Sequence, residues 1–421
     1  MRVWLVVTIV AAVLFADRLA LPRPRPDVLR LAHTFTARSE RAILGDAIAD
    51  FERRHPGVRV EQLVSNSEVY STVGWRLQFQ RRLQPDVAFA WDGHKVDTAV
   101  ARGWALDLRP HLTPAFAEAF APTALEHRSG GVYLLPHSVD VCNLVWFNRD
   151  VFGRLGLAPP TTHTEWLTVC ATLADAGHLP LVQGNRDLWP MGNLAAELLA
   201  QASADVERLY RPGAAVASAD LAGLGPLLRL RDLGAFHRAG VVDAGGLGGL
   251  SDTDAKVLFL GGKAAQHVVG SWFLADVDDA ASKGELGFEV DLFPVPTDGR
   301  DVTAAVKTGF LVNPASANVP ASVALAQHLL SREVQARFAA LGALSLRRDA
   351  VEFTQDPRAR RLLERLATTD ALVPPPDTGH APEQAALAYR VVGRLLTQGH
   401  DLEAAAAAWT RGKRELARKG R

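Results

Sequence analysis

The chain has 421 residues, 48% of them hydrophobic and 22% charged, and its formal net charge at pH 7 is zero. The length is enough for two or three domains with a sizeable core, and the composition is ordinary for a folded globular protein. The balanced charge argues against a nucleic-acid-binding surface. The two cysteines, Cys142 and Cys170, form no Cys-x-x-Cys zinc or redox pattern. We therefore expect no nucleic-acid partner, no metal and no other cofactor.

The N-terminal residues predict an export signal. Met1-Arg2 carries positive charge, and residues 3–16 form an apolar run that is short for a spanning helix but typical of a signal-peptide core. Residues 22–26 alternate proline and arginine, which predicts a stiff extended tether. We predict that residues 1–26 are a signal peptide, or an uncleaved membrane anchor, with this tether. Either one leaves the folded part in the periplasm or elsewhere on the extracytoplasmic side.

The folded part begins with a predicted strand–helix–strand unit. Residues 29–35 predict a buried strand, and the apolar spacing after it predicts an amphipathic helix that ends at Pro56-Gly57. Residues 58–64 predict a second strand, parallel to the first. A helix over about 68–83 and a strand over 85–90 follow. Residues after such strands gather at one rim of an open α/β sheet. The residues that we expect at this rim are Thr36, Ser65, Asn66, Trp91 and Asp92.

The middle of the chain predicts a crossing between two lobes. Residues 132–135 predict a short strand that ends at Pro136, because proline has no N–H to donate to a ladder. A polar break at 136–138 precedes a second strand, over 141–147. Thr162 and Glu165 form a predicted capping box at the start of the helix that follows. A strand over 179–183, a loop over 184–190 and two C-terminal helices, 381–397 and 402–416, are also predicted.

Three phrases of the chain resemble extracellular solute-binding protein family 1, the carbohydrate-binding subunits of ABC importers. Residues 51–60 match Phe-Glu-x-x-x-Pro-Gly-Val-x-Val, and the stretch 130–167 matches the family's phrases at the lobe crossing. Residues 259–272 match Phe-x-x-Gly-Lys-Ala-Ala-Met-x-x-x-Gly-x-Trp, with Gln266 in place of the methionine. Thr308-Gly309 matches the family's Gly-Gly in part. The resemblance covers nearly the whole chain after the leader.

The resemblance implies a fold and a partner. The fold is a two-lobed, periplasmic-binding-protein-like α/β fold of type II, in which each lobe has a mixed sheet flanked by helices. Lobe 1 would comprise residues 27–136 and 300–349, and lobe 2 residues 139–296 and 350–421. It also implies a non-catalytic monomer that binds a carbohydrate between the lobes by hinge closure. The ligand would then pass to the transmembrane subunits of an ABC permease.

The candidate site residues combine aromatic faces with planar polar side chains, the groups that suit a sugar. Trp272 is the first candidate, because it begins a helix where the resemblance implies a stacking aromatic residue. The alternative for the tryptophans is core packing, and for the polar residues it is helix capping or hinge hydrogen bonding. The full candidate set is Thr36, Ser65, Asn66, Trp91, Asp92, His137, Asp140, Trp189, Ser271, Trp272, Thr308 and Gly309.

Other functions stay open from the sequence alone. The ligand of a binding protein can also be a polyol, an oligopeptide or a phosphate ester such as a glycerophosphodiester, for which Arg186 and Lys307 are the candidate cations. An exported hydrolase is the alternative from another class, although the chain has no Gly-x-Ser-x-Gly and no His-Glu-x-x-His. A ligand sensor would have the same fold. Cys142 and Cys170 are either two buried thiols or a disulfide.

Overall fold

A computed structural model describes residues 24–66, 69–70, 74–80, 84–127, 130–234, 249–398 and 401–419. Residues 1–23 of the predicted leader lie outside the described residues. Among those that are described, none of the helices combines the length and the apolar composition needed to cross a lipid bilayer.

The strands form two sheets. The larger one has the order β2-β1-β3-β8-β4, with β9 paired to β8, and the smaller one has the order β6-β5-β7. The strands are β1 (Val28–His33), β2 (Arg59–Val64), β3 (Val87–Trp91), β4 (Leu135–Val141), β5 (Leu144–Asn148), β6 (Gln266–Val269), β7 (Val290–Pro294), β8 (Val302–Val312) and β9 (Ala371–Val373).

The helices flank these sheets. They are α1 (Arg38–Arg54), α2 (Trp75–Gln80), α3 (His94–Ala101), α4 (Pro114–Glu118), α5 (Pro122–Leu125), α6 (Arg149–Arg154), α7 (His163–Asp175), α8 (Trp189–Ala202), α9 (Gly225–Asp232), α10 (Asp252–Leu260), α11 (Phe273–Ser282), α12 (Val319–Leu329), α13 (Arg332–Ala339), α14 (Ala350–Phe353), α15 (Pro357–Thr368), α16 (Pro376–Gly379), α17 (Pro382–Gln398) and α18 (Leu402–Lys419). Short 3-10 turns occur at Arg109–His111, Val206–Leu209 and Ser218–Leu224.

We call the part built on β1, β2 and β3 lobe 1. Its opening is the predicted strand–helix–strand unit, and β1 pairs with β2 in parallel. Helix α1 buries a stripe of apolar residues spaced three or four apart, which explains why this segment forms a helix against the sheet. The stripe consists of Ile43, Leu44, Ala47, Ile48 and Phe51. The helix ends before Pro56, and Gly57 adopts a left-handed φ of 93°.

We call the part built on β5, β6 and β7 lobe 2. Helix α7 begins at the predicted capping box, in which the Glu165 N–H donates to Thr162 Oγ1 and the Thr162 N–H donates to Glu165 Oε2. The predicted strand over 179–183 is wrong: this segment makes only isolated bridges, from Leu179 and Val182. The C-terminal helices pack on lobe 2 and bury Trp409 there.

Strands β4 and β8 join the two lobes. The β4 residue Leu135 and its partner Phe310 belong to the core of lobe 1, whereas Val141 and its partner Ala305 belong to the core of lobe 2. The predicted break at residues 136–138 is wrong, because β4 continues through Pro136 with a bulge between Pro136 and Ser138. The crossing is therefore a paired two-stranded ladder and not a loop.

Candidate ligand-binding cleft

One face of the β4–β8 ladder lies where the two lobes meet, and we call this face the cleft floor. Ser138 pairs with Thr308 and Asp140 with Val306, and the Cys142 N–H donates to the Ala304 carbonyl at 2.7 Å. Paired residues of an antiparallel ladder share a face, and the faces alternate along each strand. This face, the cleft floor, therefore carries Ser138, Asp140, Cys142, Ala304, Val306 and Thr308.

Lobe 1 contributes Trp91 to one side of the cleft. Trp91 ends β3, pairs with Thr308 and is half-buried against the apolar part of the cleft floor. The Lys95 ammonium lies 5.2 Å from the centre of its ring, within the range of a cation–π contact. Asp92 is next in the chain, and its Oδ2 lies 3.1 Å from Lys307 Nζ. Trp91 is thus the aromatic surface of this wall, whereas the Asp92 carboxylate is already in an ion pair.

Lobe 2 contributes Trp272 and Trp189 to the other side. The Ser271 N–H donates to the Val141 carbonyl at 2.8 Å, and Ser271 Oγ accepts from the Val141 N–H at 3.2 Å. These two bonds attach the end of β6 to β4, so that Trp272 packs on the same apolar patch of the cleft floor as Trp91. The Trp189 and Trp272 ring centres are 5.7 Å apart. A Cβ on Gly270 would lie 2.1 Å from the Trp272 ring, so this close packing requires glycine.

The segment 374–380 closes a further side of the cleft. A Cβ on Gly93, which has a φ of +104°, would lie 2.5 Å from the Thr378 carbonyl oxygen, so α16 rests directly on the start of α3. Asp377 is exposed to solvent, and yet desolvation by the surrounding protein raises the pKa of its carboxyl against the opposing effect of Lys95. A residue in a concave site combines these two properties, because it is open to solvent and yet surrounded by protein. Neither Asp377 nor Lys95 was predicted from the sequence.

Carboxyl groups gather at this cleft. The Asp140 carboxylate makes no hydrogen bond or ion pair with any described residue. Burial, with a further contribution from Glu40, raises the pKa of Asp140 to about 7. Desolvation also raises the pKa of Glu40, a residue of the first turn of α1 that accepts a hydrogen bond from the Ala37 N–H at 3.2 Å. The charge of Asp276 in lobe 2 raises the pKa of Glu40 further, so a carboxylate of lobe 2 acts on a carboxyl group of lobe 1.

Three of the predicted site residues are held inside the protein. His137 is buried among Phe35, Phe89, Phe310 and Phe338, its Nδ1 accepts a hydrogen bond from Gln335 Nε2 at 3.0 Å, and burial lowers its pKa to about 4. Thr308 is buried and bonds to Ser138 Oγ at 2.8 Å. A Cβ on Gly309 would lie 2.1 Å from the Leu135 carbonyl oxygen, so glycine is needed where β4 bulges. These residues support the ladder and do not present polar atoms to a ligand.

The rim residues of β1 and β2 line a separate concavity or make backbone hydrogen bonds. Thr36 is exposed and, with Arg38, Arg41 and Gln62, lines a concavity of about 600 Å³ beside the start of α1. The Ser65 N–H donates to the His33 carbonyl at 3.1 Å, and the Asn66 carbonyl accepts from the Tyr70 N–H at 2.9 Å.

The structure bears on two of the open alternatives. Arg186 pairs with Asp254 at 3.3 Å and Lys307 with Asp92 at 3.1 Å. The two cations that would bind a phosphate ester therefore already have carboxylate partners. Cys142 and Cys170 are free thiols, and both are buried. In the described part of the chain, no group of three or more histidine, cysteine or acidic side chains is arranged to hold a metal ion.

Comparison with known proteins identifies relatives of this chain. A model of the family described as bacterial extracellular solute-binding protein matches residues 37–336. An uncharacterised ABC transporter extracellular-binding protein of Pyrococcus horikoshii is 23% identical over 159 residues, a match that spans 37% of this chain and 37% of that relative's length.

Solved structures resemble the whole fold. A chitin oligosaccharide binding protein has a TM-score of 0.78 and 18% identity, and the match covers 92% of this chain and 98% of that one. A chain from work on xylan utilization by Caldanaerobius polysaccharolyticus has a TM-score of 0.77 and 19% identity, with coverages of 91% and 99%. At these identities the likeness shows the fold alone. It confirms the predicted two-lobed α/β architecture.

Proposed function

Because the chain belongs to the bacterial extracellular solute-binding protein family, we propose that it binds a carbohydrate in the cleft between its lobes and delivers it to the permease of an ABC importer. Its relatives of similar fold include a chitin oligosaccharide binding protein. The proposal includes export across the cytoplasmic membrane, action as a monomer and no bond-breaking step.

The single observation that carries this proposal is the pair of half-buried tryptophans, Trp91 and Trp272, on the cleft floor that also carries Asp140. Each ring comes from a different lobe, and both pack on the apolar part of the cleft floor. A pyranose ring presents C–H groups on its faces and hydroxyl groups around its edge. Aromatic faces suit the first, and a carboxylate that accepts two hydrogen bonds suits the second. The arrangement therefore supports a saccharide more than an anionic ligand.

The β4–β8 ladder supports binding by hinge closure. It runs through both cores, so the lobes can rotate about it while its hydrogen bonds stay intact. A ligand that contacts Trp91 and Trp272 at once binds the closed form better than the open form. That difference in affinity is what shifts the population toward the closed form, which the permease would recognise.

Thermal unfolding of residues 27–421 with a panel of saccharides, polyols and phosphate esters tests the proposal. Ligand at about 100 times its dissociation constant stabilises the native state by about 2.7 kcal/mol, which gives a visible shift in Tm. We expect a shift with one class of saccharide. A shift with a phosphate ester alone would favour a phosphate ester as the ligand. Turnover of a glycoside would favour the alternative that the protein is a hydrolase.

Replacement of the aromatic walls tests the site. Trp272→Ala should weaken saccharide binding about tenfold or more, equivalent to about 1.4 kcal/mol, because one stacking face is lost. Trp104→Ala is the matched control: Trp104 is also half-buried, but it stacks on Phe79 in lobe 1, with ring centres 5.3 Å apart. The control should lose stability and keep its affinity. Unchanged affinity in Trp272→Ala would remove the proposed wall.

A further inference from the structure

We infer that the cleft selects a saccharide that carries a protonated amino group, and that Asp140 accepts hydrogen bonds from this group. The inference rests on the proposed function and specifies the charge of its ligand. It is carried by a carboxylate that has no partner among the described residues, that shares the cleft floor with two tryptophan rings and that a second carboxylate repels.

Asp140 is placed to face the ligand. It lies on the cleft floor between the pairs Ser138–Thr308 and Cys142–Ala304, and it is half-buried. Its backbone bonds belong to the ladder, but its carboxylate bonds to no described residue. A carboxylate that loses water without gaining a partner costs free energy, so a ligand that supplies N–H donors at this position gains that energy back on binding.

The charges around Asp140 do not neutralise it. Besides desolvation, the charge of Glu40 in the first turn of α1 raises the pKa of Asp140. Cys142 lies two residues further along the cleft floor, and desolvation together with the charges of Asp140 and Asp377 raises the pKa of its thiol. Glu40, Asp140 and Asp377 come from three separate parts of the chain and are all acidic. Repulsion by Glu40 disfavours ionisation of Asp140 and favours a cation beside it.

The nearby lysines are engaged elsewhere. Lys256 Nζ lies 3.2 Å from Asp252 and 3.0 Å from Asp276. Lys307 Nζ lies 3.1 Å from Asp92 and donates to the Ala124 carbonyl at 3.0 Å. Lys95 lies over the Trp91 ring and opposes the raised pKa of Asp377. None of these three lysines pairs with Asp140.

The aromatic walls fit the same ligand. An ammonium group is attracted to the face of a tryptophan, and the attraction grows when water is excluded. An amino sugar therefore gains from the carboxylate and from the rings, whereas its N-acetylated counterpart has a neutral amide at the same carbon. Their ring hydroxyls are the same, so the two ligands differ only in the charge and the acetyl group at this carbon.

The experiment is a calorimetric titration with matched ligands: glucosamine dimers and trimers against their N-acetylated counterparts, at pH 7.5 and low salt. A hydrogen bond to a charged group contributes about 1.5–3 kcal/mol, so we expect the amino form to bind about tenfold to a hundredfold more tightly. Asp140→Asn should weaken binding of the amino form more than binding of the N-acetylated form, and so remove this preference. Asp279→Asn removes the same charge from a surface ion pair with Lys283 and should change neither affinity.

A second readout separates a charge contact from a packing effect. Since the pKa of Asp140 is about 7, part of the protein carries a proton on Asp140 at pH 6.5, and an ammonium ligand must displace it. Titrations in two buffers of different ionisation enthalpy should detect proton release with the amino ligand. The release should be absent in Asp140→Asn.

Each outcome has one meaning. Tighter binding of the amino form that depends on Asp140 supports the inference. Equal or tighter binding of the N-acetylated form overturns the inference and leaves the proposed function intact. Equal losses for both ligands in Asp140→Asn would also overturn it, because Asp140 would then be a general sugar contact. No binding by any saccharide would contradict the proposed function itself.

Discussion

Removal of the buried carboxyl of Glu197 should make the protein less sensitive to pH. Glu197 lies on α8 with 1% of its surface exposed, and Asn143 Nδ2 donates to its Oε2 at 2.7 Å. Desolvation raises the pKa of Glu197 to about 8, and the Asn143 bond opposes this only in part. The side chain is therefore mostly protonated at pH 7 in the folded protein and ionised in the unfolded chain.

The sign and size of this pH effect follow from the linkage between proton binding and folding. Because the folded pKa is raised from 4.5 to about 8, the folded state binds the extra proton, and the free energy of unfolding falls as the pH rises through this window. The slope approaches about 1.4 kcal/mol for each pH unit. Glu197→Gln keeps the acceptor for Asn143 and removes the titration. Between pH 5 and pH 8, its stability relative to the parent should rise by roughly 4 kcal/mol.

Urea unfolding of both proteins at pH 5, 6, 7 and 8 measures this difference. Glu289→Gln is the matched control, since Glu289 is an exposed carboxylate paired with Arg149 at 2.8 Å, and its stability difference from the parent should stay flat. Parallel stability curves for Glu197→Gln and the parent would refute the assignment of a raised pKa to this group.

Three further changes test the fold. Gly309→Ala should lower the free energy of unfolding by more than about 2 kcal/mol in urea titrations, because its Cβ would lie 2.1 Å from the Leu135 carbonyl oxygen; a change within error would contradict the close approach of β4 and β8. Thr162→Ala should cost about 1 kcal/mol through loss of the α7 cap, whereas Thr162→Ser should restore it. Lys413→Met should cost about 1–3 kcal/mol by the same assay, because the buried ammonium donates to the Arg208 carbonyl at 3.0 Å; an unchanged midpoint would mean that the ammonium is solvated.

The elements that the sequence predicted well are those with local signals. The apolar spacing of α1, the Pro56-Gly57 stop and the capping box of α7 each lie within a short segment, and the structure has them at nearly the predicted positions. Lys413 had no such signal. It lies among the basic residues near the end of α18, but its ammonium donates to the carbonyl of Arg208 in the turn Val206–Leu209, 205 residues earlier in the chain.

The site was harder to predict, because its parts are distant in sequence. Trp91, Asp140, Trp189 and Trp272 were all named from strand ends, the lobe crossing and the family resemblance, and the structure places them around one face of the β4–β8 ladder. Asp377 was missed, since it sits in a proline-rich segment that predicts only a loop. Its position depends on the contact of Thr378 with Gly93, which joins two segments that are distant in sequence.

The bulge at His137 changes which residues of β4 share a face. Simple alternation from Leu135 would place His137 on the same face and Ser138 on the other. The extra residue shifts this pattern, so Leu135, Ser138 and Asp140 are the ones paired with Phe310, Thr308 and Val306.

The bulge therefore gives β4 two roles at once. His137 turns into the aromatic core of lobe 1, where Gln335 holds it, and Asp140 turns to the cleft three residues later. Since β4 also runs into the core of lobe 2 at Val141, a ligand bound at Asp140 contacts the strand about which the lobes would rotate. A ligand at this position acts directly on the hinge, so loss of the Asp140 contact should impair closure as well as affinity.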